Sequence, residues 1–128
     1  MNTDLAAALA PVLRDLSATC AVRPVVREEH DAQIGELVML YEADGSGAGL
    51  VARYGAEGAE LTADFADQAQ DWAVEALCAQ ERPAVWPECP THPDAHPLEA
   101  GVVRGAAVWS CPRTRRVVAP VGELGAVR

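Results

Sequence analysis

Between residues 86 and 121, WPECPTHPDAHPLEAGVVRGAAVWSCPRTRRVVAPV, every cysteine and histidine stands immediately before a proline. The pairs are Cys89-Pro90, His92-Pro93, His96-Pro97 and Cys111-Pro112, with Trp86-Pro87 ahead of them. A proline ring clashes with the α conformation of the residue before it and pushes that residue towards extended backbone, and each ring also narrows the unfolded ensemble. The loop that carries these side chains is therefore partly organised before anything binds it. A regular helix is excluded, so the two imidazoles, flanked by Pro93 and Pro97, cannot share one helical face as they do in helical metalloprotease sites.

Thiols and imidazoles are the donors that zinc prefers. Two residues separate Cys89 from His92, three separate His92 from His96, and fourteen separate His96 from Cys111, a span short enough for one small unit. Two thiolates with two neutral imidazoles cancel the charge of the dication, which suits a partly buried structural site. The expected ligands are Cys89, His92, His96 and Cys111, with Zn2+ as a structural cofactor. Two alternatives stand beside this reading: a Cys89–Cys111 disulfide in an exported chain, or histidines that bind nothing. A catalytic zinc keeps three protein ligands and an open position beside a general base, which Glu88, Asp94 or Glu99 would have to supply. Nothing in the spacing demands that arrangement, and no catalytic residue is assigned.

CPTH at 89–92 resembles the first knuckle of a zinc ribbon. AVWSCPRTRRVVA at 107–119 is similar to the ribbon's second hairpin, with strands at 108–111 and 117–119 around a PRTR turn. The resemblance covers roughly the last third of the chain. It departs from the ribbon pattern at Thr114, where another Cys or His belongs; it therefore implies that His96 completes the set, with Asp94 or Glu99 as alternative oxygen donors. The pattern W-P-x-C-P-x-H-P-x-x-H-P-L followed by A-V-W-x-C-P and V-V-A also resembles small actinobacterial proteins, which implies a recurring module and no particular activity.

The remainder reads as an α+β core. Leu5, Ala8, Leu9, Val12, Leu13 and Leu16 recur at helical spacing, predicting a helix over 4–18 with Thr3 as N-cap and Arg14 and Asp15 on the opposite face. Pro11 predicts either a kink or a regular helix that begins near Ala10. VRPVVREE at 22–29 is a strand whose Pro24 cannot donate to a ladder, which places it at a strand start or on a sheet edge, and His30 follows it in a loop. ELVMLYEA at 36–43 is a central strand, and LVARY at 50–54 returns from the DGSGAG turn as the third strand of a meander. DGSGAG is not a phosphate cradle, since no helix and no Lys follow it, and it lacks the oxygen ligands of a calcium loop. A second helix is expected over 61–80, with Thr62 as N-cap. Leu61, Phe65, Ala69, Trp72, Ala73, Ala76 and Leu77 form its apolar stripe, and Asp64, Asp67, Gln68, Asp71 and Glu75 its solvated face. Cys20 and Cys78 read as buried thiols. The expected architecture is N-terminal helix, three-stranded antiparallel meander and long amphipathic helix over 1–83, then a zinc-ribbon-like β unit over 84–128 packed on that core.

All ten basic residues are arginine, a bias that reflects a GC-rich genome more than chemistry. The net charge of −9 opposes a polyanion before short contacts form, which argues against nucleic-acid and anionic-membrane binding. Arg113, Arg115 and Arg116 form the one basic tip, too small to reverse that field. MNTDLAAALA lacks a positive segment before its apolar residues, and no window approaches a membrane span, so a reducing cytoplasmic location is expected, where thiols are free for metal. Without a catalytic signature, the function expected is that of a metal-stabilised protein-binding module, as adaptor, accessory subunit or assembly component. The alternatives are a zinc-dependent hydrolase with an open site and, behind it, a nucleic-acid-binding ribbon. The partner is expected to be a protein, and no oligomeric state follows from the sequence.

Overall fold

The computed structural model describes residues 3–127. In chain order its elements are α1 Thr3–Thr19, β1 Val25–Asp31, β2 Gly35–Tyr41, β3 Gly47–Leu50, α2 Gly58–Ala79, β4 Glu99–Val103, β5 Ala106–Ser110, β6 Val117–Pro120 and a closing 3-10 turn Leu124–Ala126. The strands form two three-stranded antiparallel sheets, β1-β2-β3 and β4-β5-β6. The α+β class and the order helix, strands, helix, strands are those the sequence led us to expect.

The longest element, α2, lies against α1, β3, β4 and β5. All seven residues of its expected apolar stripe are buried, joined by Thr62, Ala63 and Ala66. The buried face is wider than periodicity implies because α2 is covered from several directions. Ala66, Ala69, Ala73 and Ala76 are wholly buried, and their small side chains let both α1 and the sheets approach closely. Thr62 is not the N-cap: the helix starts at Gly58 with Glu57 before it and no side-chain cap bond. Packing sets this start, since Leu61 and Thr62 already face the core.

α1 runs through Pro11 without interruption and buries Ala8, Leu9, Val12, Asp15 and Leu16. Thr3, expected as its cap, is its first described residue. Asp15 corrects the sequence reading, because it lies on the buried face and not opposite it. Gly122 packs directly on Pro11: a Cβ there would lie 2.7 Å from Pro11 Cβ, and the φ of +105° is one that glycine tolerates best.

In the first sheet, β1 starts just after Pro24 and is an edge strand, as expected. It extends further than expected and includes His30, which pairs with Glu36 rather than sitting in a loop. The third strand lies earlier than 50–54. Asp44 Oδ1 accepts from the Ser46 backbone N–H at 2.9 Å and from its hydroxyl at 2.6 Å, and the Glu42 N–H donates to Ser46 O at 2.7 Å, closing a tight turn. Gly47 and Gly49 thereby enter the ladder opposite Tyr41 and Met39. Glycine fits this strand because Tyr41 and Leu37 side chains occupy the space a Cβ would need, 2.6 Å away in each case.

In the second sheet, β5 and β6 fall close to the expected 108–111 and 117–119, whereas β4 was not anticipated. It pairs with β5 through a two-residue turn in which Arg104 and Gly105 both have positive φ, 51° and 77°, as a type I′ hairpin requires. Trp86 and Trp109 meet edge to face with centroids 5.5 Å apart. Trp109 Nε1 donates to Asp15 Oδ2 at 2.9 Å and Trp86 Nε1 donates to Thr19 Oγ1 at 3.0 Å, so both indoles tie α1 to the C-terminal region. Cys20 is buried, and burial pushes its thiol above its ordinary value. Cys78 is exposed, contrary to expectation, because it falls past the last buried turn of α2.

Candidate metal centre

Cys89, His92 and His96 lie on an irregular loop whose neck is fastened three times. Leu98 N–H donates to Pro87 O at 2.8 Å, Glu88 and Pro97 form an isolated antiparallel bridge, and Gln70 Nε2, from α2, donates to Trp86 O at 3.1 Å and to Leu98 O at 2.6 Å. Within the loop His92 N–H donates to Cys89 O and Ala95 N–H to His92 O, at 3.1 and 3.2 Å. These two successive turns, the second containing Asp94 at φ 63°, bring the donors to one side without helix. Cys111 comes from a separate segment, one residue beyond β5. Its own turn is closed by Cys111 N–H to Arg116 O at 2.9 Å and Arg115 N–H to Cys111 O at 2.8 Å.

The four residues selected from the sequence meet here. One ligand atom from each of Cys89, His92, His96 and Cys111 lies within 4.8 Å of every other. His92 Nδ1 is 3.6 Å from both Cys89 Sγ and Cys111 Sγ, and His96 Nε2 is 3.6 Å from Cys111 Sγ. Tetrahedral zinc, with Zn–S near 2.3 Å and Zn–N near 2.0 Å, separates S from N by about 3.6 Å. The three sulfur–nitrogen separations thus match what such an ion requires. The thiols are buried and the imidazoles partly open, with ring centroids 4.9 Å apart. No other group of metal-binding side chains gathers in this way among the described residues, and the carboxylates of Glu88, Asp94 and Glu99 are not members of this one.

Thr114, expected from the sequence to stand where a ribbon would have a further ligand, acts on Cys111. Its hydroxyl donates a hydrogen bond to the thiolate and, with the Thr114 and Arg113 backbone N–H groups and the His96 imidazole, holds the Cys111 thiol down to about 5 against the opposing effect of burial. The sulfur is then ionised at neutral pH, the form that ligates metal. Thr114, Gln70 and Asp15 are the supporting residues that sequence reading missed. Only Thr114 carried a signal, its spacing from Cys111. Arg113, Arg115 and Arg116 are exposed on the same turn.

Compared with protein-family models, curated proteins and solved structures, the chain matches none. Among the described residues, no helix is long and apolar enough to cross a membrane.

Proposed function

We propose that this chain is a small protein-binding module, acting as adaptor, accessory subunit or assembly component, whose C-terminal β unit is closed by one structural zinc ion. The observation that carries the reading is the convergence of Cys89, His92, His96 and Cys111 at tetrahedral sulfur–nitrogen spacing. A structural role is favoured over catalysis because four protein donors converge, the two thiols are buried, and no carboxylate stands in the cluster to serve as general base. The CPTH and CPRT turns act as a variant zinc ribbon in which His96 supplies the fourth ligand. A reducing cytoplasm keeps both thiols available for the ion.

Metal analysis of the purified protein tests this reading. The parent chain should carry about one zinc, lost in Cys89→Ser, His92→Ala, His96→Ala and Cys111→Ser alike. Zinc retained in His96→Ala would remove that residue from the set. Cobalt substitution separates the structural from the hydrolytic reading: a closed site with two thiolates gives intense tetrahedral d–d bands that added anions leave unchanged, whereas an open site shifts its spectrum as an anion replaces bound water.

A further inference from the structure

We infer that the outer edge of β1 is a docking strand for an extended, basic segment of a partner protein, which adds to the β1-β2-β3 sheet as a fourth strand. This rests on the protein-binding reading above and names the surface and the chemistry of the partner. The two edges of the sheet are treated differently. Beyond β3, the Gln68 side chain imitates a neighbouring strand: its Oε1 accepts from Val51 N–H at 2.8 Å and its Nε2 donates to Val51 O at 2.9 Å, while α2 lies alongside. On the other side β1 is the outermost strand, and Val25 through His30 are all exposed. An outermost strand presents a row of backbone donors and acceptors, the template used in recognition by strand addition.

Charge and shape select the occupant. β1 carries Glu28, Glu29 and Asp31 against the single Arg27, and its register sets Glu36 opposite His30. On the core-side face, Glu28 and His30 border a groove of about 250 Å³ with Leu5, Val38 and Glu36, so acidic groups rim an apolar floor. Val25 and Val26 are 53% and 37% exposed and give the strand an apolar start. A second copy of this chain would bring the three carboxylates of one β1 beside those of another. An extended segment with Lys or Arg at alternate positions and β-branched residues between them meets both the charge and the pleat.

The test uses the full-length, zinc-loaded protein and a fluorescein-labelled peptide of alternating lysine and valine, with the glutamate–valine analogue as control. We expect the lysine peptide to bind, the control not to bind, and hydrogen-exchange protection to appear on β1 amides. Val26→Pro, which disrupts the ladder, and Glu28→Lys with Glu29→Lys, which reverses the charge, should each weaken binding about tenfold or more. The double charge variant keeps the test decisive if the proline variant fails to fold. No binding of the lysine peptide, equal binding of the control, or protection confined to β4 or β6 would overturn the inference. So would a dimer in sedimentation that Val26→Pro dissolves, since the occupant would then be a second copy. None of these results bears on the zinc site, which metal analysis tests by itself, so failure of the docking strand and failure of the structural-zinc reading are distinguishable.

Discussion

Asp15 shows how one side chain joins distant parts of this chain. Its Oδ2 accepts from Trp109 Nε1 at 2.9 Å and from Gly122 N–H at 2.6 Å, and its Oδ1 accepts from Leu124 N–H at 3.0 Å. Removing the carboxylate leaves three donors without acceptors in or near the core. Because each buried orphan costs about 1–3 kcal/mol, Asp15→Ala should destabilise the fold by about 4 kcal/mol in urea unfolding, near the top of the range for single changes. Thr114 is the corresponding residue for the metal centre. Thr114→Val keeps the volume and removes the hydroxyl that supports the Cys111 thiolate, and we expect zinc affinity to fall about 10- to 100-fold, with Thr114→Ser restoring most of it. A competition titration against a chelating dye measures both. Asp15 was misread because a helical pattern is traced through apolar residues, and an acid between Val12 and Leu16 reads as a solvent position until its partners, about 100 residues away, are in place.

Elements here are held at their ends by polar side chains more than by regular caps. The first sheet's two turns each rest on an aspartate: Asp31 Oδ1 accepts from Gln33 and Ile34 N–H at 2.8 and 2.9 Å, and Asp44 accepts from Ser46. The Ile34 and Gln33 amides hold Asp31 below its ordinary 3.8, and the Ser46 hydroxyl and amide do the same for Asp44. A carboxylate whose folded value is depressed contributes stability that is fully present above its unfolded value and is lost as pH falls through the folded one. The amide resonances of Ile34 and Ser46 should therefore titrate with midpoints below 3.8, while neutral and mildly acidic pH leaves both turns unchanged. The helices were legible because their apolar stripes are long. The shift of β3 to Gly47–Leu50 and the existence of β4 were not, because Gly47, Gly49 and Gly101 have no strand preference and only cross-strand pairing assigns them.

At the scale of the molecule, the candidate metal centre borders the main core. Cys89, Cys111, Trp86 and Trp109 belong to the same cluster of buried side chains as Leu9, Phe65 and Trp72. We propose on this basis that residues 1–83 and 84–128 unfold together. Chelation of the metal should then lower Tm by about 10 °C or more in one transition that also reports the loss of α1 and α2, followed by calorimetry and far-UV circular dichroism. Two separate transitions would show that the halves unfold independently.

By itself the sequence determined the helices, the restriction of Pro24 to a strand start or a sheet edge, and the four candidate ligands, because these depend on local properties: apolar periodicity, the missing N–H of Pro24, and donor atoms spaced along a proline-restricted loop. Only the tertiary structure decided which side chains support them. Asp15 faces Trp109, Gln70 fastens the neck of the candidate metal loop, Gln68 closes one sheet edge, and Thr114 serves Cys111 as a hydrogen-bond donor. Most of these are polar groups whose partners lie far along the chain, and a hydrogen bond carries no periodicity from which it could be read.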